Sequence, residues 1–213
     1  MTFVPDFTTV LQFAIATFVI AITPGPDMTL FVGRALSQGR AAGFACMFGA
    51  MSGVLVHTSM VALGLSALIL ASPEAFLVLK GVGAGYLFWL AWQAIRHGSA
   101  FSPENRASAA GSFFGNWATG LGINLMNPKI ILFFMTFLPQ FVSVDDPNAP
   151  GKLFFLGVLF IPLSLPVTTP MVIAADRFAG LLRKSPTVTR IVDYLFAGVF
   201  SAFAVKIITA QAK

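Results

Sequence analysis

The sequence predicts an all-α integral membrane protein, with six transmembrane helices arranged as two inverted three-helix repeats and the first helix of each repeat broken. Three observations predict it. The 213 residues are 57% hydrophobic and only 10% charged, with 23 Phe and a mean hydropathy of +0.85. That is more apolar surface than a soluble domain of this length can hide. Two apolar segments are interrupted by proline motifs, Thr23-Pro24-Gly25-Pro26-Asp27 and Asn127-Pro128-Lys129. The punctuation of the first half (a break, a glycine-basic helix start, a serine-proline helix start) also recurs in the second, which marks an internal repeat.

The first span runs from about Phe7 to Thr23, pauses at Pro24–Pro26 and resumes from Asp27 to about Ser37. Two prolines around a glycine remove backbone donors and stop an α-helix. In lipid such a break is tolerated only where the freed backbone lines a cavity or packs on protein. After the turn Gln38-Gly39-Arg40, the second segment stays apolar from Ala41 to about Ala71. It exceeds the roughly 20 residues needed to cross, so it tilts or projects from the bilayer. Ser72-Pro73-Glu74 opens the third span with an N-cap serine, a proline at the first position and an acid in the first turn. That span ends at Arg96-His97-Gly98. Residues 98–112 are polar, Ser/Ala-rich and contain Pro103, as expected of a linker between the halves.

The second half follows the same plan. A span from Phe113 to Met126 breaks at Asn127-Pro128 and resumes through Phe141. Asp145-Asp146-Pro147 to Pro150 is a loop, and Gly151-Lys152 opens the fifth span as Gly39-Arg40 opens the second. Pro162, Pro166 and Pro170 are spaced by four, which stacks them on one helix face and predicts a bend. Ser185-Pro186 starts the last span. The whole is one transmembrane domain over 1–213, with repeat one at 7–97 and repeat two at 113–209. Three spans per repeat reverse the chain, so the repeats are inverted in the membrane.

Charge sets the orientation. Arg34, Arg40, Arg96, Arg106, Arg177, Arg183, Lys184 and Arg190 fall on one side, and Lys80, Lys152, Lys206 and Lys213 on the other. The richer side is expected to be cytoplasmic, leaving both termini outside. The net charge of +5 is spread over short loops, where it sets topology and does not predict nucleic-acid binding. The opening segment lacks a basic leader and a small-residue cleavage site, and reads as a retained span. A lone Cys46 excludes an intrachain disulfide and a thiol metal cluster. With two distant histidines and few intramembrane acids, the sequence predicts neither a metal site nor a cofactor. No metalloprotease or nucleophile-elbow motif occurs, which argues against an enzyme.

Chemistry is concentrated at the breaks. Paired interrupted spans in two halves point to a transporter's binding site. Each break joins a half-helix with free carbonyls to one with free N–H groups, complementing an ammonium and a carboxylate, the two poles of an amino acid. Asp27 and Lys129 directly follow the prolines and, in inverted repeats, face a shared centre. An intramembrane charge costs roughly 2.5–3.5 kcal/mol on insertion scales, so it is functional or paired. Asp27 is a candidate for the coupling proton or the substrate amine, and Lys129 for the carboxylate. A structural ion pair between the two, or a capping role for Asp27, is the competing reading. Asn124 and Asn127, one turn apart, either satisfy exposed carbonyls or bind substrate. His57, deep in the second segment, is either bonded to a neighbouring helix or a proton relay. His97 belongs to a solvated interface. Gly39 and Gly43, Gly49 and Gly53, and Gly81 and Gly85 have the spacing of close helix contacts, expected within the subunit.

Together the Thr-Pro-Gly-Pro-Asp motif, the Ser-Gln-Gly-Arg turn, His57 and the run Asn-Pro-Lys-x-x-x-Phe-Phe-x-x-x-Leu-Pro-Gln-Phe from Asn127 to Phe141 closely resemble the LysE/RhtB family of amino-acid exporters. The resemblance covers nearly the whole chain in order and spacing. It implies a six-helix protein of the bacterial inner membrane that expels neutral or basic amino acids or homoserine-like derivatives, driven by the proton gradient, with a homodimer as an option. On it, Pro24, Gly25, Pro26 and Asp27 carry over as the first motif, and Asn127, Pro128 and Lys129 as the second. Export of another small solute or cation is the alternative.

Overall fold

A computed structural model describes residues 3–65, 111–143 and 146–177, with individual positions between 78 and 96 and between 185 and 205. The predicted third and sixth spans with their serine-proline starts, the linker up to Ala110, Asp145 and His97 lie outside the continuously described residues. Among the described residues the chain is helical throughout, with no strand.

Helix α1 (Phe7–Ile22) begins where Asp6 accepts the Thr9 N–H at 3.0 Å, the side-chain cap that an N-terminus requires. It ends at Thr23, whose extended backbone turns the chain out. Helix α2 (Pro26–Gln38) starts with Pro26 at its first position, where the missing N–H costs nothing. The two are bent by 52°. Gly39 then adopts φ +91°, a left-handed value that suits glycine alone, and reverses the chain into α3 (Arg40–Met60), which continues through a π turn at Val61–Leu65.

In the second half, Ser112 accepts the Gly115 N–H at 3.0 Å and starts α4 (Phe113–Met126). Asn127 is extended, and α5 (Pro128–Leu132) runs on through a π turn (Phe133–Phe137) and a 3-10 turn (Leu138–Phe141). This pair is bent by 54°, close to the angle of the first. Helix α6 (Ala149–Ile173) stays helical through Pro162, Pro166 and Pro170, all three on its exposed face as the spacing of four requires. Before it, Lys152 hydrogen-bonds Asp146 and holds that carboxyl below its usual range. The brace therefore persists until the pH falls below the ordinary carboxylate range.

Residues Arg40–Gly64 and Ala149–Ile173 are long and apolar enough to cross a membrane, and each bent pair has the combined length and hydropathy of a broken span or a re-entrant loop. Among the described residues that gives two candidate spans, or four if each bent pair crosses once, against the six expected from sequence. In lipid, apolar surface gives helices little drive to associate, so close packing must hold them. Helix α3 is central, lying against α2, α4 and α6. A Cβ on Gly49 would lie 1.9 Å from the Trp117 carbonyl oxygen, and one on Gly120 would lie 2.0 Å from that of Cys46. The α3 and α4 backbones therefore touch, and the Trp117 indole donates to Ser52 Oγ at 3.2 Å beside the crossing. Gly43 likewise admits the Phe31 carbonyl and Val172. The small-residue spacing in α3 serves packing within the chain, as expected. Around α1, α5 and α6 the core is aromatic, with Phe13, Phe133, Phe134, Phe137 and Phe160 all buried.

Candidate functional site

The prolines dictate where polar backbone is left over. In a helix, Pro24 removes the N–H that would pair with the Ile20 carbonyl, and Pro128 removes the one for Asn124. Both carbonyls find donors from another helix. Lys129 Nζ donates to Ile20 O at 3.2 Å and to Thr23 O at 2.8 Å. His57 Nε2 lies 3.4 Å from Asn124 O, which also accepts the Asn127 N–H at 3.1 Å. The His57 ring is buried and stacks on Phe134, 5.8 Å between centroids. Its Nε2 therefore carries the proton toward that carbonyl if it donates there.

The two breaks exchange contacts. Lys129, second residue of α5, caps the C-terminal end of α1. Asp27, second residue of α2, reaches the last turn of α4, where Asn124 Nδ2 donates to its Oδ2 at 2.8 Å. Asn127 turns inward on its own break, its Oδ1 accepting the Lys129 N–H at 3.1 Å. Among the described residues the ion pair within 4.0 Å is Lys152–Asp146 and not Asp27–Lys129. The sequence allowed a direct pair between the break charges. Instead each charge serves the opposite broken helix, because the ammonium is drawn to proline-orphaned carbonyls.

Asp27, Asn124 and Lys129 line a cavity of about 60 Å³ between the broken helices, α3 and α6. Asp27 Oδ1 and Asn124 Oδ1 are buried without a hydrogen-bond partner, and so is Asn127 Nδ2. Buried polar atoms are normally satisfied; of these three residues, Asp27 and Asn124 line the cavity, where a ligand's groups can meet them, and Asn127 lies behind it. Opposite them the wall is apolar, with Met28 and Phe31 from α2, Met47 and Met51 from α3, and Phe160 and Met171 from α6. Ser164 and Thr168 add hydroxyls one turn apart.

Of the residues anticipated from sequence, Asp27, Asn124 and Lys129 meet at the cavity. Pro24, Gly25, Pro26, Asn127 and Pro128 shape the breaks behind it, and His57 braces the second break from α3. Gly25 is close enough to Lys129 that a Cβ there would lie 3.1 Å from Nζ. The four methionines, Ser164 and Thr168 were not anticipated. The proline spacing of α6 held the available signal, since it exposes one face and turns Ser164 inward. Among the described residues, no three His, Cys, Asp or Glu side chains converge to hold a metal ion.

Comparison with known proteins gives a consistent picture. The sequence model of LysE type translocators matches residues 18–211. A homoserine/homoserine lactone efflux protein of Salmonella typhimurium is 28% identical over 190 residues, covering 88% of this chain and 90% of the relative. A leucine efflux protein of Klebsiella pneumoniae is 25% identical over 208 residues, covering 94% and 95%. An uncharacterised membrane protein of Vibrio cholerae is 27% identical over 205 residues, covering 95% and 97%. No solved structure gives a significant match.

Proposed function

The chain belongs to the LysE type translocators, transporters and not enzymes, and on that premise we propose that it exports amino acids from the bacterial cytoplasm across the inner membrane. The observation that carries the reading is the meeting of opposite charges in one cavity, Asp27 from the first break and Lys129 from the second. A zwitterion needs that arrangement. The α-ammonium is received by the unpartnered Asp27 Oδ1, with Asn124 Oδ1 as a second acceptor. The carboxylate takes the Lys129 proton not used on Ile20 and Thr23, since an ammonium has three to donate. The side chain lies against the apolar wall.

Alternating access then follows from the same contacts. A bound carboxylate competes with the α1 carbonyls for Lys129, and a bound ammonium competes with Asn124 for Asp27. Substrate thus loosens both braces between the two broken helices and lets them move about the cavity as inverted halves. Asp27 is the group that carries a proton in exchange, coupling export to the proton gradient. The efflux named for two relatives of similar length supports the direction and the substrate class.

The test is efflux from liposomes loaded with the twenty amino acids and homoserine under an imposed pH gradient, for wild type and Asp27→Asn. Selective efflux, lost or uncoupled from the gradient in the variant, is the expected result. Efflux that keeps its gradient dependence in Asp27→Asn removes the proton role. Absence of efflux from folded wild-type protein removes the exporter.

A further inference from the structure

Resting on the exporter reading, we infer that the cavity selects amino acids by the charge of the side chain and not by its size. It accepts zwitterions with a neutral apolar or hydroxyl-bearing side chain and rejects those with a third charge. Two features of the wall lead there. Among the described lining residues, charge is confined to Asp27 and Lys129, and the exporter reading commits both to the α-ammonium and the carboxylate. Apart from the Asn124 amide, which the exporter reading gives to the α-ammonium, the uncharged polar side chains among the described lining residues are the hydroxyls of Ser164 and Thr168, whose protons go to the Ile161 carbonyl at 2.9 Å and the Ser164 carbonyl at 3.1 Å. They offer lone pairs, enough to receive a substrate hydroxyl but no counter-charge for an ammonium, a guanidinium or a second carboxylate.

Size is a weaker filter. Met28, Met47, Met51 and Met171 make up much of the apolar wall, and methionine has three rotatable bonds and a polarizable sulfur that refill irregular gaps. In a stiff hydrophobic pocket one methylene is worth roughly 10–200-fold in selection. A thioether wall that re-forms around its guest falls at or below the bottom of that range. An unpaired buried ion has no such relief, because its desolvation amounts to several kcal/mol. Charge therefore decides.

The experiment uses the full chain in liposomes loaded with equal leucine, methionine, homoserine, lysine and glutamate. Efflux of the first three is expected within about tenfold of one another, with lysine and glutamate lower by roughly a hundredfold or more. Lysine or glutamate leaving within tenfold of leucine overturns the inference and leaves the exporter standing. A spread beyond a hundredfold between leucine and methionine overturns the size half of it. No amino acid leaving at all rejects the exporter reading itself. As a second measurement, Met51→Glu puts a carboxylate on the apolar wall and should raise lysine over leucine at least about tenfold. Met51→Gln, of like size and no charge, should give no such gain. A gain in both, or in neither with both variants folded, overturns the role of the wall.

Discussion

At the scale of single residues, Lys129 does more than bring charge into a membrane. Pro24 leaves the Ile20 carbonyl without its helical donor, and the break leaves that of Thr23 exposed. Both are supplied by one ammonium from the other half of the chain. Replacing Lys129 with Met keeps the length and removes the donor, leaving buried carbonyls unsatisfied at about 1–3 kcal/mol each. Lys129→Met should therefore lower stability by about 2–6 kcal/mol, read by unfolding in detergent, and abolish efflux. A variant as stable as wild type would show that the ammonium does not hold α1. The residues of this constellation were legible because proline chemistry announces where backbone groups are orphaned. Asp27, Asn124 and Lys129 stood beside those positions. The partners were not legible, since inverted halves suggest a direct Asp27–Lys129 pair and nothing in the sequence says that carbonyls compete for the lysine. Ser164, Thr168 and the four methionines were hidden for another reason. In a helix apolar all round, periodicity does not tell the cavity face from the lipid face.

The next scale is the helix and its crossings. Helix α3 meets α4 where Gly49 and Gly120 let backbone touch backbone, a geometry that an added methyl group cannot share. Gly49→Ala should destabilise by at least about 1–3 kcal/mol, because a Cβ against the Trp117 carbonyl forces the helices apart. Gly33→Ala in α2 is the internal control. Beyond its own helix backbone, no atom of the described residues lies within 4 Å of its Cβ position, so the lower entropy cost of alanine should leave stability unchanged or raise it by about 0.5–1 kcal/mol. Thermal unfolding of the two variants side by side checks both signs. The breaks, the Gly39 joint, the limits of the two broken segments and the intramolecular use of Gly43, Gly49 and Gly53 were all readable, since each follows from local backbone chemistry. The π turns at Val61–Leu65 and Phe133–Phe137 were not, because nothing in these apolar stretches distinguishes an i to i−5 hydrogen bond from the usual one.

At the scale of the whole molecule, the ends of the helices sort into two groups. Phe3 lies against Gly151, where a Cβ would meet its ring 2.2 Å away, so the start of α1 and the Asp146–Lys152 loop share one end. At the other, Gln38 Oε1 accepts from the Gly111 N–H at 3.2 Å and from Asn116 Nδ2 at 3.0 Å. That contact ties the end of the first broken span to the start of the second, in the neighbourhood of Arg34 and Arg40. The basic end is the one expected in the cytoplasm, which puts Val4 outside and Arg40 inside. Cys46 has no exposed surface and leaves a quiet background for thiol labelling. Val4→Cys, at a position 54% exposed, should react with a membrane-impermeant maleimide in intact cells, and Arg40→Cys only after lysis. The opposite pattern would place the Gln38 contact outside. That would overturn the orientation read from the basic residues and leave the site and the direction of transport standing. An alternating-access site opens to both sides, and the imposed gradient, not the topology, sets which way substrate moves.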